Sequence, residues 1–134
     1  PYPGIIRVLD QMAAHGIMLA VASNKYQAGT EELVRRQLGS DRFVKILGQR
    51  EGKPLKPDPD IIFEVMSAVP GISREEVVYC GDSDVDMQTG MNAGVRTIGV
   101  TWGFRTKEEL SAYGPWHLAA NAEEIAGAII ADSE

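Results

Sequence analysis

Three carboxylates fall within five residues at Asp82-Ser83-Asp84-Val85-Asp86, directly after Gly81. Clustered carboxylates repel one another unless a cation or hydrogen-bond donors offset them. Hard oxygen groups of this kind suit Mg²⁺, which is held by one or two protein carboxylates plus water and a substrate phosphate. Helix capping and dipole pairing explain one or two of the aspartates, but not three. A second candidate is Ser23-Asn24-Lys25, where a hydroxyl and an amide stand just before a helical pattern. The Ser23 hydroxyl and the following backbone N–H groups can bind an anion, or they can form an ordinary helix cap. The third candidate is Lys56 in Lys53-Pro54-Leu55-Lys56-Pro57-Asp58-Pro59. The prolines restrict the backbone around Lys56 and can aim a fixed positive charge into a cleft. The alternative is a solvated lysine in a proline-rich turn. Lys53 is the rival cation. Phosphate cradle, cation and carboxylate cluster together point to phosphoryl chemistry, where positioning and charge neutralisation are most of the catalyst's task.

These residues need elements that bring them to one place. Ile5, Val8, Leu9 and Met12 recur at helical spacing after Pro3, and Gly16 fits the left-handed stop. Ile17–Ala22, Val77–Cys80 and Val95–Val100 are continuous apolar runs, predicted as strands covered on both faces. Phe43–Leu47 reads as a short strand and His117–Ala120 as a short edge strand. Helical patterns cover Gln27 to Leu38, the stretch after Pro59 with Ile62, Val65, Met66 and Val69, and the stretch from about Val85 to Asn92-Ala93-Gly94. Ser73 with Glu76, and Thr106 with Glu109, have capping-box spacing, and Asn121 with Glu124 caps a last helix bearing Ile125, Ala128 and Ile129. Apolar strands alternating with helices predict the α/β class, a doubly wound, Rossmann-like parallel sheet. Such sheets seat ligands at the carboxyl ends of their strands, where all three candidate sites fall.

Composition sets outer bounds. The 134 residues carry a net charge of −6, with 44% hydrophobic and 24% charged residues. That is ordinary for a globular domain and excludes a disordered or low-complexity chain. The acidic balance argues against a nucleic-acid partner. No apolar run reaches membrane-spanning length, so no membrane role is expected. The opening residues have no signal-peptide pattern, and a single cysteine, Cys80, excludes an internal disulfide framework. Together these predict a cytoplasmic protein. Cys80 reads as a buried thiol. His15 reads as structural, and His117 has no metal-binding company. Trp102 and Phe104 read as loop anchors near the cleft, and Arg105 as a solvated loop residue.

The motif set resembles the haloacid dehalogenase superfamily, most of all its phosphoglycolate-phosphatase-like branch, over essentially the whole chain. Val21-Ala22-Ser23-Asn24-Lys25 is similar to the family's second motif, Lys56-Pro57-Asp58-Pro59 to its third, and Tyr79 to Asp86 to its fourth. Asn92-Ala93-Gly94 and Gly99 to Phe104 also match that branch. The resemblance implies that Ser23, Asn24 and Lys56 bind phosphate, with Ser23 and Lys56 catalytic. It implies that Asp82 ligates Mg²⁺ and that Asp86 does so directly, through water, or by orienting the site. Asp84 falls at a variable position, and Ser83 is a candidate support for the metal. The implied reaction is Mg²⁺-dependent hydrolysis of a small phosphorylated metabolite through an aspartyl-phosphate. One motif is missing: the Asp-x-Asp-Gly-Thr that ends the family's central strand and bears the nucleophile and the acid/base. The expectation is therefore a partial core domain over 1–134 that lacks its N-terminal central strand and the cap domain, and that is inactive alone. The neighbouring strands must then leave a gap, pair directly, or borrow a strand from a missing N-terminal segment or a homodimer partner. The alternative is a non-catalytic phosphate- or Mg²⁺-binding module acting through a partner. A receiver domain fits less well, because here the lysine precedes the acidic strand.

Overall fold

The computed structural model describes residues 4–102 and 105–133. The expected helix-start role of Pro3 and the position of Phe104 lie outside them. In chain order the elements are α1 (Ile5–Ala14), β1 (Leu19–Tyr26), α2 (Gln27–Gln37), β2 (Phe43–Gln49), α3 (Asp60–Ser67), β3 (Val78–Gly81), α4 (Asp84–Ala93), β4 (Arg96–Val100), α5 (Lys107–Ser111), β5 (His117–Ala119) and α6 (Ala122–Ser133). Short 3₁₀ turns at Ser40–Arg42 and Arg74–Glu76 precede β2 and β3.

All observed strand pairs are parallel, as the alternation of strands and helices predicts. The strands form two separate ribbons, β1-β2 and β3-β4-β5. Helices cover both faces. Val8, Leu9 and Met12 of α1 pack on Ala122, Ala126 and Ile130 of α6. On the other side Ile61 and Ile62 of α3 pack with Leu47, Ala93 and Val95. Strand β4 shows how the alternation is used: Ile98 and Val100 join Ile125 of α6, while Thr97 closes against Gly90 of α4.

Of the three strands expected to be covered on both faces, only β4 is. Residues 97–100 are all buried, whereas no residue of β1 or β3 is. The cause is topological. Each of β1 and β3 has one partner strand, and its other edge has none among the described residues. The free edges flank an apolar slot of about 420 Å³. Its walls include Leu9 and Met12 of α1, Ile125 of α6, Ile62 and Val65 of α3, and Cys80. Of the three outcomes expected of a sheet without its central strand, the structure shows the gap.

Element ends follow local chemistry. Gly94 closes α4 in the left-handed conformation, at φ 72°. Ser83 caps α4 by accepting the Asp86 N–H at 3.2 Å. Thr106 and Glu109 form the expected capping box, and Asn121 accepts the Glu124 N–H at 2.9 Å. The Ser73–Glu76 box is also present, but it caps a 3₁₀ turn and no α-helix follows. Helix α3 stops at Ser67, so Val69 lies beyond it.

Candidate functional site

Strand β1 runs further than its apolar stretch. It starts at Leu19 and continues through Ser23, Asn24 and Lys25 to Tyr26. Ala22 pairs with Leu47, but Tyr26 pairs with Gln49, so β1 bulges between them and leaves Ser23, Asn24 and Lys25 out of the ladder. The Ser23 hydroxyl accepts the Lys25 N–H at 3.0 Å. Asn24 reaches the proline-rich loop. Its Oδ1 accepts the Lys56 backbone N–H at 3.0 Å, and its Nδ2 donates to the Lys56 carbonyl at 3.3 Å. The side chain expected at the phosphate thus clamps the lysine's backbone.

The loop is tied down on two further sides. Asn92 at the end of α4 donates to the Pro57 carbonyl at 2.9 Å. Arg50 forms a two-pronged pair with Glu64 of α3, and Lys53 lies 3.6 Å from the same carboxylate. Lys53, the rival cation, is thereby committed to Glu64, and Lys56 is the lysine that enters the site.

Lys56 Nζ donates to Asp86 Oδ1 at 2.7 Å and to the Tyr79 hydroxyl at 2.9 Å, and lies 3.5 Å from the Ala22 carbonyl. Both charged side chains are nearly buried, at 10% and 12% exposure. Asp86 Oδ2 accepts the Asp82 N–H at 3.1 Å and the Ser83 hydroxyl at 3.0 Å. Burial opposes ionisation of Asp86, but the Lys56 ammonium and the hydrogen bonds from Lys56, Ser83 and the Asp82 N–H outweigh it. Its carboxyl is held below the usual carboxylate range. Burial, reinforced by Asp86, raises the Tyr79 phenol and keeps it neutral. Gly81 makes this packing possible, because a side chain there would overlap the Asp86 carboxyl group.

The ends of β1 and β3 and the Lys56 loop thus meet at one edge of the molecule. Both Asp86 oxygens are already engaged, Oδ1 by Lys56 and Tyr79 and Oδ2 by the Asp82 N–H and Ser83. The Asp82 carboxylate makes no hydrogen bond or ion pair with a described residue. Asp82 therefore fits the role of a hard oxygen ligand at the strand end. Among the described residues no group of three His, Cys, Asp or Glu side chains gathers as a cage. Mg²⁺ needs no such cage when a phosphate and waters fill its other positions.

Asp84 turns to Arg105 at 3.2 Å, so Arg105 is paired and not simply solvated. His15 caps α1, its Nδ1 2.9 Å from the Gln11 carbonyl, and His117 stands edge-on to Trp116. Cys80 was expected to be buried, but it opens onto the slot and is solvent-accessible. The protein around it still pushes its thiol up to about 12. Sequence reasoning gave no role to Tyr79 or to the Asn92 amide. The one available signal was a phenol inside an otherwise apolar strand.

A parallel α/β sandwich with polar groups gathered at the carboxyl ends of its strands defines the class of fold that binds ligands at that edge. The model of the haloacid dehalogenase-like hydrolases matches residues 1–100, and the chain belongs to that family. A phosphoglycolate phosphatase of Mesorhizobium japonicum is 31% identical over 104 residues, covering 78% of this chain and 45% of its own length. One from Rhodobacter capsulatus is 30% identical over 105 residues, covering 78% and 46%. A crystal structure from Lactobacillus delbrueckii subsp. bulgaricus, provisionally described as a phosphoglycolate phosphatase, superposes with a TM-score of 0.89. It is 36% identical and matches 96% of this chain and 53% of its own. The chain spans about half the length of the curated relatives it matches.

Proposed function

We propose that this chain is the phosphoryl-handling part of a Mg²⁺-dependent phosphatase of small phosphomonoesters, of the phosphoglycolate phosphatase type. The observation that carries this reading is Lys56. Its ammonium is fixed between Asp86 and Tyr79 and lies 3.5 Å from the carbonyl of Ala22, the residue before Ser23. A nearly buried, oriented ammonium can offset charge that builds up on a transferring phosphoryl group. The Ser23 hydroxyl, whose oxygen accepts the Lys25 N–H, can donate its proton to a phosphoryl oxygen. The Asp82 carboxylate fits one ligand of Mg²⁺, and the bound metal would neutralise phosphate charge. Asp86 keeps Lys56 and the Asp82 backbone in place.

The proposal includes one further strand. The slot is apolar on both faces and has parallel edges on both sides. A continuous apolar strand parallel to β1 and β3 satisfies both edges. A carboxylate at its carboxyl end would arrive beside Lys56 and serve as the nucleophile.

Turnover of p-nitrophenyl phosphate and phosphoglycolate with Mg²⁺ tests the reading. The chain alone is expected to bind inorganic phosphate without turnover. Turnover should begin when a peptide of consecutive apolar residues ending in Asp-x-Asp-Gly-Thr is added. Turnover by the unsupplemented chain, abolished by Asp82→Ala, would refute the need for the strand. Phosphate binding that no peptide converts into turnover favours a non-catalytic module.

A further inference from the structure

We infer that Tyr79 is the positioning residue that fixes the direction of the Lys56 ammonium and leaves one of its N–H groups for a phosphoryl oxygen. The inference rests on the phosphatase reading for its ligand and on geometry for the rest.

An ammonium has three donors and no acceptor. For Lys56 the three directions are accounted for by Asp86 Oδ1 at 2.7 Å, the Tyr79 hydroxyl at 2.9 Å and the Ala22 carbonyl at 3.5 Å. The first two are good hydrogen bonds and the third is at the limit. The first two therefore anchor the group. The weak third donor points to the end of β1, next to Ser23, and can be surrendered to an anion at little loss.

Asp86 alone could not set that direction, because a four-carbon stem pivots freely about a single partner. Tyr79 supplies the second point. It is rooted in β3, and its hydroxyl crosses to β1, 3.4 Å from the Ala22 carbonyl and 3.3 Å from Asp86 Oδ1. Its ring also stands beside the ammonium, 5.6 Å from Nζ to the ring centroid. Tyr79 thus links the strand that bears Asp82 to the lysine loop and to the strand that bears Ser23. Phenylalanine would keep the ring and remove the anchor.

The test compares the unmutated chain with Tyr79→Phe. In the unmutated chain the held Lys56 ammonium should give a resolved side-chain ¹⁵N–¹H signal at low temperature, with a nuclear Overhauser contact to the Tyr79 ring. In Tyr79→Phe the signal should broaden away while the thermal midpoint and backbone spectrum persist. Affinity for inorganic phosphate should fall about fivefold, the usual worth of one hydrogen bond. An unchanged Lys56 signal together with unchanged phosphate affinity in Tyr79→Phe overturns the inference. If that variant does not fold, the Overhauser contact in the unmutated chain decides, and its absence overturns the inference. If the unmutated chain does not bind phosphate, the phosphatase reading fails, while the Lys56 signal still judges the Tyr79 anchor separately.

Discussion

At the scale of single residues, the Lys56–Asp86 pair is the main buried electrostatic feature. Two nearly buried opposite charges 2.7 Å apart add little net stability over an apolar pair, but removing one leaves the other stranded. Lys56→Ala is therefore expected to cost about 3 kcal/mol in urea melts. In an Asp86→Asn background the same substitution should cost much less. Equal costs in both backgrounds would sink the ion-pair account. The roles of Ser23 and Asn24 also separate at this scale. Both were candidate phosphate contacts on sequence, but the Asn24 amide is spent on the Lys56 backbone, whereas the Ser23 hydroxyl, which accepts the Lys25 N–H, keeps its proton to donate to an anion.

At the scale of elements, two glycines make opposite demands. Gly81 ends β3 against the Asp86 side chain, and Gly127 lies inside α6 with open space around it. Gly81→Ala should destabilise by about 1–3 kcal/mol through overpacking. Gly127→Ala should stabilise by about 0.5–1 kcal/mol by lowering the entropy of the unfolded chain. Thermal midpoints moving in the same direction would contradict the packing described. The tie between the lysine loop and α3 is pH-sensitive. Arg50 holds the Glu64 carboxyl below its usual range, against a smaller effect of burial. Its folded pKa is depressed, so its stabilisation is full above the ordinary carboxylate pKa of about 4.3 and fades as pH falls through the folded value. Melts between neutral pH and pH 3 should show a steeper acid loss for the unmutated chain than for Glu64→Gln, and parallel curves would rule the tie out.

At the scale of the molecule, the open slot governs behaviour. Among the described residues, strand β4 has a partner on each side, whereas β1 and β3 have one each. Amide hydrogen exchange should show every interior amide of β4 protected, with fast and slow amides alternating along β3 and along residues 19–22 of β1. Uniform protection of β3 in a dilute chain would mean that the slot is filled, by a second copy or by another segment. The class of fold, the parallel direction of the strands and most helix limits were legible in the chain, because each depends on local periodicity and capping. Burial of β1 and β3 was misjudged for a non-local reason. An apolar run shows that a strand can be covered on both faces, and only its neighbours decide whether it is.

The amino-acid order alone was enough to place the serine and aspartate motifs at strand ends and the lysine motif just before a helix, since strand ends and helix starts follow from hydrophobic period and turn residues. It was also enough to mark the proline-flanked lysines of residues 53–59 and, by charge density, the aspartate cluster. Only the tertiary structure chose between Lys53 and Lys56, committed both oxygens of Asp86, and drew Tyr79 and Asn92 into the cluster. The contacts that bring Lys56 to Tyr79 and Asp86, Tyr79 to Ala22, and Asn92 to Pro57 join residues 23 to 57 positions apart. Side chains so far apart in sequence meet only through packing, which local pattern does not encode.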